Sequence, residues 1–486
     1  MTDLLILPVR GDAADAPAAW RTAVGDAFDA ALADAAKTKQ PVIVRPADGP
    51  ARIALIAVAD EGDEAWREAA AAGARLARSL EARQVELAAP LAEAAGLLAE
   101  GFALGLYRYD RYRTAPAAPE VAFSVRVEGG GGADAVAAAR HRADAVNAAR
   151  DLVNRAPDEK MPAELADLMA DGARAAGLDV EVWDKERIAA EKMGGLLGVN
   201  RGSLDPPRFV ILRHRPEGTG GAPVVLVGKG VTYDTGGLSL KPTKNSMDKM
   251  KADMGGAAAV YGAMLAVAAA KVPFEVIALI PMSDNRPGGR AYAPGDVLTM
   301  HSGTTVEVMN TDAEGRLLLA DALSYARSLG PRLTIDVATL TGAQGVALGD
   351  RVAAAVVRPG AEDLADAVRR AGERSGDLVW PLPLYPHYRE QLKSPVADLS
   401  NVGGPMAGTI TAAAFLEHFT RADGGEDGTP NGGNPAYPWL HLDIARPAFI
   451  DAARGVHPVG ATGFGVRVLA ALLSDLPSTL GDGGAS

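Results

Sequence analysis

Carboxylates and lysines recur in three short segments of the C-terminal two-thirds of the sequence. The first segment, residues 227–237, places Lys229 and Asp234 in a glycine-rich turn directly after an apolar strand. Ligands usually bind at the carboxyl end of a strand in an α/β sheet, so both side chains lie where a site is expected. A Walker phosphate loop is excluded because Gly230, and not Ser or Thr, follows the lysine. The turn alone leaves open whether it is functional.

The second and third segments supply further acids and cations. The second segment begins near Lys241 and runs on to Asp253, which directly precedes a predicted helix. Taken alone, such an acid is explained by the favourable field of a helix N-terminus. Asp312, Glu314 and Arg316 are spaced two apart, so an extended backbone presents them on one face. An acidic helix start explains the two carboxylates, but it does not explain why Arg316 joins them.

The available ligand types limit the chemistry that these segments can support. The sequence contains no cysteine, so a metal must be held by Asp, Glu, His or Lys. Its seven histidines are scattered without the spacing of metal ligands. Carboxylate oxygens are hard ligands that suit Mn²⁺ and Mg²⁺ and are also compatible with Zn²⁺.

Together the three segments resemble the leucyl aminopeptidase family, also called the cytosol aminopeptidases. The eight-residue signature Asn-Thr-Asp-Ala-Glu-Gly-Arg-Leu stands unchanged at residues 310–317. Other matching segments, in the same order as in the family, are residues 228–237, 250–258, 291–297, 339–343 and 460–465. The resemblance extends from about Leu152 to Leu473 and is much weaker over the first 130 residues.

The resemblance implies a site for two divalent metal ions, Mn²⁺ or Zn²⁺, with Mg²⁺ also compatible. The implied ligands are Lys229, Asp234, Asp253, Asp312 and Glu314. Asp234 and Glu314 bridge the two ions, Asp312 serves one, and Lys229 with Asp253 serves the other. Two metals about 3.5–4 Å apart can hold a bridging water and lower its pKa. A lysine binds a metal only when neutral, so the field of the cations must depress its pKa.

The resemblance also implies roles in catalysis and in substrate binding. Lys241 polarises the scissile carbonyl, and Arg316 holds a bicarbonate ion that acts as general base. The substrate is a peptide with a free N-terminus, from which Leu or another mainly apolar residue is removed. The implied substrate-binding residues are Met250, Asn310, Thr339, Leu340 and Gly342. Arg446 departs from the family because many members carry glycine there, which leaves the side-chain preference and the loop contacts more open than the activity.

The elements that must position these residues belong to the α/β class. Short apolar runs alternate with Ala-rich helical stretches in the N-terminal part, and several strands of the C-terminal part are nearly all apolar. The glycine run at 129–132 predicts a domain boundary. We therefore expect an N-terminal domain over 1–132, a connecting helix over 133–157 and a catalytic domain over 158–486, with an exposed loop at 422–438.

The family's architecture makes these expectations more specific. It implies a small N-terminal macro-like α/β domain and a larger catalytic α/β domain with a central mixed sheet. It also implies a homohexamer, built as a dimer of trimers. No feature of the sequence itself demonstrates this assembly.

Composition limits the remaining function classes. The chain has 486 residues and a formal net charge of −12, which disfavours a general nucleic-acid binder because that function requires a basic face. The sequence lacks a stretch of about 18 apolar residues, and its N-terminus reads as a strand, so we predict a cytoplasmic enzyme without membrane association. The alternatives are another two-metal hydrolase, such as a phosphatase or nuclease, and an aminopeptidase with a secondary DNA-binding role.

Overall fold

The chain is divided into two units by its internal contacts. The computed structural model describes residues 2–479 apart from 12–15, 47, 60–61, 116–118, 219 and 422–437. The first unit contains Met1–Asn147 together with Arg374–Gly376 and Asp451–Gly460, and the second contains the remainder. The loop predicted at 422–438 lies, except for its last residue, outside the described residues.

The first unit is a five-stranded sheet covered by helices on both faces. Its strands are in the order β2-β3-β1-β4-β5, with β2 antiparallel to β3 and the other pairs parallel. Its elements are β1 (Leu4–Arg10), α1 (Ala18–Val24), α2 (Phe28–Thr38), β2 (Val42–Val44), β3 (Ile53–Val58), α3 (Asp63–Ser79), β4 (Gln84–Ala89), α4 (Ala92–Leu106), β5 (Ala122–Val127) and the start of α5 (Ala133–Asn154).

Successive residues of β1 belong to opposite faces of this sheet. Leu4 and Ile6 are buried in the core that includes α3 and α4, whereas Leu5 and Leu7 pack in the core that includes α1 and α2. This is the consequence of the two-residue period of a strand whose two faces are both covered. The predicted alternation of strands and helices in the N-terminal part is confirmed.

The second unit contains a larger mixed sheet. Its elements are the end of α5, α6 (Pro162–Ala175), β6 (Asp179–Trp183), α7 (Lys185–Ala190), α8 (Gly194–Val199), β7 (Arg208–His214), β8 (Val224–Gly228), β9 (Gly230–Asp234), α9 (Gly255–Ala270), β10 (Val276–Asn285), β11 (Val297–Thr299), β12 (Thr305–Glu307), α10 (Gly315–Arg327), β13 (Leu333–Ala338), α11 (Gly342–Leu348), β14 (Ala353–Val357), α12 (Glu362–Ser375, of which 374–375 are assigned to the first unit), β15 (Val379–Leu382), α13 (Pro386–Glu390), β16 (Leu399–Ser400), α14 (Gly408–His418), β17 (Trp439–Asp443), β18 (Phe449–Ile450), β19 (Gly460–Ala461, of which Gly460 is assigned to the first unit) and α15 (Val466–Thr479).

The strand order of the main sheet is β15-β14-β17-β13-β8-β10-β7-β6, with β9 also paired to β10. The strands β17, β13, β8 and β10 run parallel, and β14 and β7 run antiparallel to their inner neighbours. An α/β chain with an N-terminal unit and a larger unit built on a mixed sheet is therefore confirmed. The sheet carries the carboxyl ends of its central parallel strands at one edge, which is where α/β folds bind ligands.

Two details of the second unit differ from the sequence-based prediction. The apolar run Phe274–Pro281 predicts a strand that ends at Pro281, but β10 continues to Asn285 because its last residues pair with β9. The segment Met247–Ala270, a 3₁₀ turn followed by α9, is long and apolar enough to meet a membrane-span criterion. Its most apolar 18-residue window is 83% buried, and α9 packs on β8, β13 and α15, so it is a core helix of this unit.

Candidate metal centre

Five side chains of the predicted site come together at the carboxyl edge of the main sheet. Lys229 directly follows β8, and Asp234 is the last residue of β9. Asp253 lies between a 3₁₀ turn and α9, while Asp312 and Glu314 lie in the turn that leads into α10. The sheet order brings these segments together because β8, β9 and β13 end at the same edge. The residues implied by the resemblance therefore meet in one place.

The two lysines are held by the acids in separate ion pairs. Lys229 Nζ lies 2.8 Å from Asp253 Oδ1 and 3.0 Å from Glu314 Oε1. Lys241 Nζ lies 2.8 Å from Asp234 Oδ2 and 2.5 Å from Asp312 Oδ1. Each lysine ammonium group thus lies between two carboxylates. A bound metal cation would likewise need carboxylates on more than one side.

The carboxylate cluster has unused oxygen atoms. Ligand atoms of Asp234, Asp312 and Glu314 all lie within 4.8 Å of one another. Asp253 Oδ2 and Glu314 Oε2 are buried and have no hydrogen-bond partner in the described structure. Because buried polar atoms are almost always hydrogen-bonded, such orphaned anionic oxygens need an explanation. Hard, anionic oxygens are ligands of divalent cations, so the residues present fit a metal centre.

Glycines allow the backbone to approach the cluster closely. A Cβ atom at Gly315 would lie only 2.3 Å from Lys229 Cε. Gly236 has a φ of +87°, and a Cβ there would lie 2.4 Å from Ser239 O and 2.8 Å from Asp312 Oδ1. Any side chain at either position would displace a proposed ligand or its support.

Burial and mutual repulsion raise the pKa values of the three aspartates of the cluster, whereas the pKa of Glu314 is lowered because the two lysines outweigh its burial. Burial raises the pKa of Asp234 to about 7, with Glu314 adding to the rise and Lys241 opposing it. Burial also raises the pKa of Asp253 well above its usual value, although Lys229 opposes this. The pKa of Lys229 is lowered by burial, but Asp253, Glu314 and Asp234 outweigh this and raise it. The cluster therefore holds more protons than the isolated side chains would.

The site opens into a cavity of about 300 Å³. Four of the residues predicted to bind substrate line it: Met250, Thr339, Leu340 and Gly342. Thr339 is tied to the cluster because its hydroxyl donates to Asp253 Oδ1 at 2.8 Å and its carbonyl accepts from Lys229 Nζ at 3.0 Å. The part of the cavity wall formed by the residues after β13 is thus fixed in position relative to the proposed ligands.

Asn310 and Arg316 are not among the residues that line this cavity in the described structure. Asn310 Oδ1 accepts from the Asp312 backbone N–H at 2.8 Å and so shapes the turn that carries this acid. Arg316 is 8% exposed and donates from Nη1 to the Asn401 carbonyl at 2.8 Å. Its Nε is buried without a hydrogen-bond partner, and burial lowers the pKa of the guanidinium to about 10.

Three supporting residues lacked an assigned role in the sequence analysis. Asn285 donates from Nδ2 to Asp234 Oδ1 at 2.8 Å and to the Thr311 carbonyl at 2.9 Å. The Tyr292 hydroxyl donates to the same carbonyl at 2.7 Å, and the Thr311 hydroxyl donates to the Gly236 carbonyl at 2.6 Å. Tyr292 and Thr311 stand in segments that match the family, which was the available signal. The contacts themselves join residues far apart in sequence.

Comparison with known proteins identifies the family. The model of the cytosol aminopeptidase catalytic domain matches residues 147–470, and that of the family's N-terminal domain matches residues 35–116. The chain belongs to the cytosol aminopeptidase family. A probable cytosol aminopeptidase of Syntrophotalea carbinolica is 41% identical over 97% of this chain and 97% of its own length. One of Chlorobaculum tepidum is 45% identical over 78% of this chain and 75% of its own length.

Solved structures agree with this membership. The bottromycin maturation enzyme BotP in complex with Mn matches with a TM-score of 0.84 and 38% identity, covering 98% of this chain and 100% of that chain. A tomato leucine aminopeptidase mutant matches with a TM-score of 0.83 and 31% identity, covering 97% and 93%. As a cytosol aminopeptidase, the chain is a metal-dependent exopeptidase that acts on peptides, and a phosphatase or nuclease does not fit.

Proposed function

We propose that the chain removes Leu and other, mainly apolar, residues from peptides with a free N-terminus by means of two divalent cations. The observation that carries the proposal is the cluster of three acids whose ligand atoms lie within 4.8 Å of one another, beside buried carboxylate oxygens without hydrogen-bond partners. Mn²⁺ or Zn²⁺ is expected, and Mg²⁺ is compatible with the oxygen-rich ligands.

The ligands divide between the two cations according to their place in the cluster. Lys229 and Asp253, which touch each other, would hold one cation, and Asp312 on the Lys241 side would hold the other. Asp234 and Glu314 would be shared between them. The pair of cations would supply a bridging water of lowered pKa as the nucleophile and a ligand for the substrate amine.

Lys241 is the cation left to act on the substrate. Its side chain is 14% exposed at the cavity, whereas that of Lys229 is only 3% exposed. The pKa of Lys241 is lowered by burial but raised overall by Asp234, Glu314 and Asp312, so the group stays protonated. A protonated amine beside the scissile carbonyl donates a hydrogen bond that strengthens as negative charge develops on the oxygen.

Arg316 is proposed to hold bicarbonate as the general base. Its unpartnered Nε is a donor available to a small anion, and the Asn401 carbonyl fixes its Nη1 at 2.8 Å. A bicarbonate held by a guanidinium can accept the proton of the attacking water. Met250, Thr339, Leu340 and Gly342 would contact the substrate, and Asn310 would contribute from the turn that carries Asp312.

The cellular setting belongs to the same proposal. We expect a cytoplasmic homohexamer, a dimer of trimers, that acts on peptides and does not associate with membranes. The net charge of −12 offers little attraction for DNA, so nucleic acid is not an expected partner.

The decisive experiment is metal-dependent release of N-terminal residues from a panel of unblocked dipeptides. Each dipeptide is paired with its N-acetylated form, which lacks the free amine that the site requires. Chelation should abolish release, and added Mn²⁺ or Zn²⁺ should restore it. Equal cleavage of the acetylated peptides, or cleavage after removal of metal, would contradict the proposal.

A further inference from the structure

Arg446 places a positive charge on the wall of the metal-site cavity. It follows β17 by three residues, lines the same cavity as the proposed ligands, and is exposed. None of the roles assigned above uses it. An exposed arginine in a cavity that also contains the reacting groups is within reach of a bound substrate.

The backbone and the side-chain stem of Arg446 are held in place. Its backbone N–H donates to Gln344 Oε1 at 3.0 Å, and Gln344 Nε2 in turn donates to the Val352 carbonyl at 2.8 Å. The stem lies over Gly345 in α11, where a Cβ atom would be only 2.2 Å from Arg446 Cγ. Because Gly345 has no side chain, the stem of Arg446 can pack directly against the backbone of α11.

The guanidinium has no acidic partner among the residues that the structure describes. The carboxylates of the cavity are engaged elsewhere, since Asp253 and Glu314 pair with Lys229 while Asp234 and Asp312 pair with Lys241. Bound cations would engage the same acids even more strongly. None of these carboxylates forms an ion pair with the arginine.

The cavity that Arg446 lines has apolar as well as polar and charged side chains on its wall. Met250, Leu340, Ala445 and Phe449 are among the apolar residues. Apolar side chains and an unpaired guanidinium in one cavity suit a carboxylate at the end of a short aliphatic stem, because the stem can contact the apolar residues while the carboxylate accepts two parallel hydrogen bonds.

We infer that Arg446 binds a carboxylate of the peptide substrate. The carboxylate has two possible sources with the same chemistry: the side chain of an N-terminal Glu or Asp, or the free C-terminus of a dipeptide. The inference rests on the proposed aminopeptidase function and deepens it by naming the substrate group recognised.

The test compares matched substrates in the metal-loaded protein. Glu-Leu amide against Gln-Leu amide isolates the side-chain carboxylate, and Leu-Leu against Leu-Leu amide isolates the C-terminal carboxylate. In the wild type, kcat/KM for the carboxylate member of one pair should exceed its value in Arg446→Gln by about fivefold, the size of one partly exposed ion pair. Leu-Leu amide, which has neither carboxylate, should be cleaved equally by both proteins.

Two further variants serve as controls. Arg446→Lys keeps the charge and should retain much of the preference, whereas Arg351→Gln removes an exposed arginine outside the cavity wall and should change nothing. The pair that responds identifies the source of the carboxylate. If neither ratio changes in Arg446→Gln, the inference is wrong.

Failure of the aminopeptidase function would be distinguishable from failure of this inference. If the wild type cleaves none of these peptides, they remain intact ligands, and their equilibrium binding is measured by calorimetry with the same pairs and variants. A fivefold preference for a carboxylate member that depends on Arg446 would then support the carboxylate site, while equal binding would overturn it.

Discussion

At the scale of single residues, the two lysines of the centre differ in burial although both contact carboxylates. Lys229 is almost fully buried between Asp253 and Glu314, so it can become a ligand only by losing its proton. Lys241 is partly exposed to the cavity, and its pKa is raised by the acids around it. This difference in burial supports the proposal that Lys229 is a metal ligand and that Lys241 acts on the substrate.

We predict that Lys241→Ala lowers kcat strongly and leaves metal binding intact. Loss of one oxyanion donor typically lowers kcat by about 10²–10³, because its contact strengthens in the transition state. Asp234→Ala, in contrast, should lose metal because Asp234 is the proposed ligand of both ions. Kinetics and elemental analysis measure the two effects, and Lys393→Ala, at an exposed position, is the control. Loss of metal in Lys241→Ala would make this residue a ligand or a structural support.

We also predict that metal loading releases protons near neutral pH. The raised pKa of Lys229 and the pKa of about 7 of Asp234 mean that both hold protons which a cation must displace. Because deprotonation of the ligands favours binding, metal affinity should rise as pH increases through about 7.

Calorimetric titration with Mn²⁺ in buffers of different protonation enthalpy measures this release. More than one proton per chain is expected near pH 7, about one from Lys229 and part of another from Asp234. Lys229→Met, which has no proton to lose, should release about one proton fewer. An affinity that does not change between about pH 6 and about pH 8 would contradict the prediction.

At the scale of elements, the centre depends on how closely α9 approaches the sheet. Gly256, in the first turn of α9, lies against β13, and a Cβ atom there would be 2.1 Å from the Val337 carbonyl. The same helix start follows Asp253, and its Ala257 N–H donates a hydrogen bond to the Lys229 carbonyl at 2.9 Å. Close packing of the helix thus sets the distance between two proposed ligands.

We predict that Gly256→Ala destabilises the protein and weakens metal binding together. The added methyl group forces α9 away from β13, and overpacking of this kind typically costs about 1–3 kcal/mol. Thermal unfolding and metal titration measure both effects. Gly289→Ala is the matched control because a Cβ atom at Gly289 meets nothing within 4 Å. An unchanged melting temperature in Gly256→Ala would show that the helix can shift without cost.

At the scale of the whole molecule, the second unit exposes several large apolar side chains. Leu204 is fully exposed, Val346 is 91% exposed and Met406 is 78% exposed. Single exposed apolar residues are common on monomers, so these do not define an interface by themselves. They are compatible with the assembly that the family resemblance implies.

We predict that the protein in solution is a hexamer. Multi-angle light scattering should give a mass six times that of the 50.0 kDa chain, with activity in the same fraction. Dilution that dissociates the assembly should lower activity if assembly supports the site. A monomer with full activity would refute this expectation.

The sequence by itself determined the chemical type of the centre and the class of the fold. The acids and Lys229 are recognisable from short segments because residue type and local spacing are properties of the chain alone. The same holds for the alternation of helices and strands, since periodicity and strand composition are local. The end of β10 was not predictable because its last residues are strand only through pairing with β9.

Only the tertiary structure decided which groups meet across the sheet. It placed Asn285 on Asp234 and Thr339 on Asp253, although 51 and 86 residues separate the partners. It also brought Arg446 to the cavity and held Arg316 at the Asn401 carbonyl, outside the cavity wall. These contacts follow from the strand order β17-β13-β8-β10, which depends on how the whole chain packs and on no local pattern.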